Sequence, residues 1–246
     1  RYSYCRNSPL VYTDPSGHIR NEPDELTRAD EILQILLDEY EVTITRDWGW
    51  LGVGSLWNPG SWRLVELETV LEGVNNLAGM MGDAQRFRDN LGGVEFVRSA
   101  IDNPAQATAH RVRLRSIGSG GFMGEWQGAW TVVHELAHAW DAANDWQLSK
   151  DLERYTEGRT TLWGRYDWAG TPPKGADSNF TRREDFAESV AAFVYPSVAQ
   201  AFIRTFYSDE PEYHYTNYYS LPRARFVANL VNMDPSQLLF MQGSRW

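Results

Sequence analysis

The sequence predicts an α+β fold, mostly helical, with a small twisted sheet upstream of one central helix. Apolar residues recur at three- and four-residue intervals in segments 25–40, 64–74 and 127–143 and again after 184. Short β-branched runs fall in 42–45, 94–97 and 107–114, all ahead of 127–143. The 246 residues, 42% of them apolar, suffice for a substantial core in one large domain or two small lobes.

Taken in order, Glu25 to Tyr40 sets Leu26, Ala29, Leu33, Leu36 and Leu37 at helical spacing, with Asp30 and Glu31 on the polar side. This predicts the first helix. Val42-Thr43-Ile44-Thr45 reads as a strand, followed by a glycine and tryptophan loop over 48–60. Ser61 suits the N-cap of a second helix with the stripe Leu64, Leu67, Val70, Leu71 and Val74. Gly79, Gly82, Gly92 and Gly93 interrupt what comes next, and Val94 to Val97 and Ala107 to Leu114 read as strands.

The glycine-rich loop 116–124 lacks both the lysine of GxxxxGK[ST] and the spacing of GxGxxG, so no phosphate cradle is expected there. It leads into a helix from Gln127 to Ala143. Leu221 to Val231, with Pro222 near its start, and Pro235 to Met241 read as closing helices.

Charge and composition narrow the function. A formal net charge of −10 argues against nucleic acid as a partner, because phosphate binding needs a clustered basic surface. Arg111, Arg113 and Arg115 alternate as on one solvated strand face. The single cysteine, Cys5, excludes an intramolecular disulfide framework and any zinc site built on several thiolates. No stretch reaches the ~18 apolar residues of a membrane span, and the N-terminus lacks the order of a secretory signal, so a soluble domain is expected. Eleven tryptophans and twelve tyrosines point to aromatic-rich packing or a ring-lined cleft.

The most informative string is His134-Glu135-Leu136-Ala137-His138. On a helix, residues four apart share a face, so both imidazoles can reach one metal ion. Glu135 is one step round, placed to take a proton from an attacking water and return it to a leaving amine. Such a string arises by chance in about one chain in a hundred of this length, so its surroundings decide. Two of the five histidines fall here among Val132, Val133, Leu136, Ala137, Ala139 and Trp140. Buried imidazoles without partners are costly, and a ligand role gives them one. The metal expected is Zn2+, and a catalytic zinc needs a third protein ligand.

The metzincin continuation is excluded, because Asp141 and Asn144 stand where its glycine and third histidine would be. The other source is Glu184-Asp185-Phe186-Ala187-Glu188, on a helix that ends at Pro196. This Glu-x-x-Ala-acid form resembles the third-ligand helix of gluzincin peptidases, including the anthrax-lethal-factor-like group. The resemblance implies a zincin-like fold, Glu184 as third ligand, Glu188 as the acid supporting a ligand, and hydrolysis of peptide bonds. Thr181 to Glu184 also fits a capping box, in which Glu184 would serve the backbone and Glu188 could bind the metal instead. Asp141 either accepts the second ring proton of His138 or is a solvated acid. Tyr166, Tyr195, His214 and Tyr215 are all eligible to stabilise an oxyanion, and spacing does not choose among them. The segments 163–168 and 170–175 read as irregular loops that can line a cleft.

The opening residues 1–18 run R-Y-x-Y-x-x-N-x-P-x-x-Y-x-D-P-x-G, ending in Asp14-Pro15-Ser16-Gly17 before His18. This order resembles the segment that closes the core of Rhs/YD-repeat proteins, ahead of a variable C-terminal effector. In that family the chain is often cut just after this element, commonly following a leucine, and His18 stands there in this sequence. The resemblance implies that residues 1–20 end a repeat shell and 21–246 form an effector domain of a polymorphic toxin. It further implies secretion or delivery into a target cell, a protein substrate there, and an immunity protein as a possible partner. Two other classes fit parts of the sequence: a degenerate zincin that binds without cleaving, and a glycan-directed module suggested by tryptophans and paired acids.

Overall fold

The first helix, α1 (Pro23–Tyr40), opens on a proline, whose missing N–H costs nothing at a helix start. It buries Ala29, Ile32, Leu36 and Tyr40, while Leu37 lies 49% exposed, so the inward stripe is rotated from the expected one. The helix stops at Glu41, whose left-handed φ of 55° lets its N–H donate to the Leu37 carbonyl. The computed structural model describes residues 23–46, 62, 64–99, 105–115, 128–155, 181–198 and 221–231. The readings for 1–20, 48–60, 116–124, 163–175 and 235–241, and for Ser61, Tyr166, His214 and Tyr215, lie outside these.

The fold is α+β, with one mixed sheet of four strands among the described residues. Strands β1 (Thr43–Arg46), β2 (Glu95–Ser99), β3 (Ala105–Thr108) and β4 (Arg111–Arg115) lie in the order β1-β2-β4-β3. The β1–β2 and β2–β4 pairs are parallel, and β3–β4 is antiparallel. Ala107 to Leu114, expected as one strand, is divided by a turn at Ala109 and His110 into parts of β3 and β4. Phe96, Val112 and Leu114 are fully buried. On the opposite face Glu95 accepts from Thr45 Oγ1 at 2.8 Å and from Arg111 Nε at 2.6 Å, a polar row across three strands.

Helices α2 (Leu64–Met81) and α3 (Ala84–Leu91) connect β1 to β2. The α2 stripe Leu67, Val70, Leu71 and Val74 continues inward through Leu77, Ala78 and Met81, so neither Gly73 nor Gly79 breaks the helix. Gly73 instead permits a close approach. A Cβ there would lie 2.6 Å from Val132 Cγ1 on the central helix. The unforeseen α3 starts at Asp83, whose carboxylate accepts from Arg86 N at 2.8 Å.

The second half is helical: α4 (Gly128–Ala143), α5 (Gln147–Tyr155), α6 (Arg182–Val194) and α7 (Leu221–Leu230). The α4 helix is the hub, packed against α2, α3, α6 and β3. Val132, Val133, Leu136, Ala137 and Ala139 on it are fully buried, which fixes its rotation and hence where its two histidines point. Among the described residues no helix is long and apolar enough to cross a membrane.

Candidate metal centre

Helical spacing puts His134 and His138 on one face of α4, and their rings meet edge to face with centroids 4.7 Å apart. Their Nε2 atoms are 3.1 Å apart. The third group comes from α6, where Glu184 Oε2 lies 3.3 Å from Nε2 of each histidine. Thr181 caps α6 by accepting from Arg183 N at 3.3 Å, which leaves the Glu184 carboxylate turned to the imidazoles.

These three atoms form a nearly equilateral triangle with edges of 3.1, 3.3 and 3.3 Å. Ligands of a tetrahedral zinc with bonds of about 2.0–2.1 Å stand about 3.3–3.4 Å apart, so the triangle has the size of one face of such a site. The donor set, two imidazoles and one carboxylate, is also one that zinc favours. Two imidazole lone pairs at 3.1 Å repel unless a cation or a proton lies between them.

Charges around the centre follow the same logic. Burial works against a charged His134, yet its hydrogen bond with Glu184 and the charges of Glu188, Glu135 and Glu184 outweigh this and push it up to about 9. For Glu184, burial acts upward, but hydrogen bonds from His134 and His138 hold it well below the usual carboxylate range. Glu135 is buried at 7% exposure, and burial pushes its carboxyl upward despite the opposing pull of both histidines.

Glu188, one turn beyond Glu184, lies with Oε1 3.5 Å from Nδ1 of His134, the ring nitrogen facing away from the triangle. That nitrogen is buried and has no hydrogen bond of good geometry. Asp141 departs from the expectation that it supports His138. No hydrogen bond joins the two among the described residues; Asp141 is fully buried, and its Oδ1 accepts from Ser149 N at 3.0 Å. The reason is the corner between α4 and α5. Asp145 and Trp146 hold φ of 53° and 59°, which folds the start of α5 back onto Asp141, and Trp146 N donates to the Asp141 carbonyl.

Tyr195 ends α6 as its C-cap, eleven residues or about 16 Å of helix beyond Glu184. Its hydroxyl accepts from Asn76 Nδ2 at 2.9 Å, and burial pushes it up to about 12. It ties α6 to α2 away from the triangle. Residues with no signal in the sequence also shape the site: Arg223 of α7 clamps Asp185 of α6, and Arg183 stacks 3.6 Å from the centre of the Trp146 ring. No protein-family model matches the chain, and no curated protein or solved structure is significantly similar to it.

Proposed function

We propose that this chain is a zinc-dependent endopeptidase of zincin-like fold, with His134, His138 and Glu184 as the metal ligands and Glu135 as the general base. The triangle of ligand atoms, with edges of 3.1 to 3.3 Å, carries the reading. A bound Zn2+ would polarise the scissile carbonyl and make water acidic enough to attack near neutral pH. Glu135, adjacent in sequence to His134, accepts the proton of that water and delivers it to the leaving amine. Its upward-shifted carboxyl suits a group that must hold a proton for part of the cycle. Glu188, 3.5 Å from the outer nitrogen of His134, is the acid that would orient this ring and keep Nε2 turned to the metal.

Through its resemblance to the Rhs/YD-repeat core end, the opening segment supports a C-terminal effector whose substrate is a protein of a target cell. A Glu135→Gln variant separates catalysis from binding: it keeps one zinc per chain and loses about 10²–10⁴-fold in turnover of casein or a peptide library. Turnover unchanged in Glu135→Gln, or indifferent to a zinc chelator, removes the proposal. The second outcome favours a glycan-directed hydrolase or binding module.

A further inference from the structure

We infer that the buried Asp185–Arg223 pair is a positioning device that sets the rotation of α6 and so delivers Glu184 to the metal; this rests on the zinc reading above. Glu184 and Asp185 are consecutive in the first turn of α6, so their side chains leave the helix about 100° apart. One points to the imidazoles of α4. The other meets the Arg223 guanidinium of α7 in a two-pronged clamp, Nε to Oδ1 at 2.9 Å and Nη2 to Oδ2 at 3.0 Å. A helix fixed in two directions from adjacent residues cannot turn about its axis without breaking one of them.

All four residues of this turn are anchored, but not equally. Arg182 pairs with Glu153 at 3.4 Å with both side chains more than a third exposed, and such pairs hold little in water. Arg183, itself exposed, stacks on Trp146. Only Asp185 and Arg223 are shut away, with 2% and 3% of their side chains exposed, where a planar fork on a carboxylate is strong and directional. Glu184 is itself 31% exposed and approaches the imidazoles from the first turn, where a helix is least held by its own hydrogen bonds. The clamp supplies the missing rigidity, and it makes α7, which lends no ligand, part of the metal site.

The test is zinc affinity and the visible spectrum of the cobalt-substituted protein for Arg223→Lys and for the double variant Asp185→Leu with Arg223→Met. The lysine keeps the charge without the fork; the double variant fills the volume without direction. Zinc binding at least about tenfold weaker than wild type in the folded variants, with an altered cobalt spectrum, is expected, as for other groups that orient a ligand. Affinity within twofold of wild type alongside a lowered melting temperature would show a structural role only and overturn the inference. Wild-type protein that binds neither metal sinks the zinc reading itself, an outcome distinct from equal binding by wild type and variants.

Discussion

Glu188 Oε1 stands 3.5 Å from Nδ1 of His134, whose other nitrogen faces Glu184 at 3.3 Å, so one imidazole is bracketed by two acids of the same helix face. In the proposed zinc site the inner acid would share the metal with the ring and the outer one would orient it. Glu188→Ala should therefore retain the fold and weaken zinc binding by about 10–100-fold, measured by competition with a chromophoric chelator. Unaltered affinity would mean that Glu188 plays no part in orienting the ring.

Proton release follows from the same bracket. Without metal, His134 is held up to about 9, so near neutral pH it carries a proton that zinc must displace. Apparent zinc affinity should fall about tenfold for each pH unit below 9, and titration calorimetry in buffers of different ionisation enthalpy should show the proton leaving. The sign for stability is fixed as well. Since the folded value lies above the ordinary 6.5, the contribution of His134 to metal-free stability is complete below 6.5 and lost as pH rises through about 9. Melting temperatures of the metal-free protein that climb across that window would contradict this.

Asp141 provides a contrast. Removing its carboxylate in Asp141→Ala strands the Ser149 N–H at the head of α5, at a cost of about 1–3 kcal/mol in stability. Zinc affinity should stay within about twofold of wild type. A loss of about 10–100-fold would restore Asp141 as the partner of His138.

Two glycines of α2 separate packing from helix propensity. Gly73→Ala would push a methyl to 2.6 Å from Val132 Cγ1, and overpacking of this kind destabilises by about 1–3 kcal/mol. Gly79, exposed and with nothing within 4 Å of an added Cβ, should gain about 0.5–1 kcal/mol when changed to alanine. Denaturant titration of both variants reads the two signs directly.

Helices α4 and α6 were legible because their apolar spacing is regular and their His and Glu residues sit at intervals that suit a shared ligand. Two helices were not. The α3 segment has eight residues and mostly charged or amide side chains; Asp83 ahead of it was the available signal. The α5 helix follows a turn made by Asp145 and Trp146 in left-handed conformation, where sequence rules look for glycine, although Leu148 and Leu152 keep helical spacing. The β3–β4 turn at Ala109 and His110 likewise lacks the usual Asn-Gly signal. Buried charges were hidden for another reason. Glu66 pairs with Arg98 at 2.6 Å and Asp185 with Arg223, partners 32 and 38 residues apart that only the tertiary fold brings together. In α1 the expected stripe held Leu37 and omitted Ile32, yet Ile32 is fully buried and Leu37 exposed where the helix packs against α2 and α3.

The central claim is that His134, His138 and Glu184 converge on one divalent ion. X-ray absorption at the zinc edge of the loaded protein tests it most directly. One zinc per chain with four nitrogen or oxygen neighbours at about 2.0–2.1 Å, two of them showing the outer-shell pattern of imidazole, is the predicted result. A single imidazole, a sulfur neighbour, or failure to bind zinc stoichiometrically would contradict it.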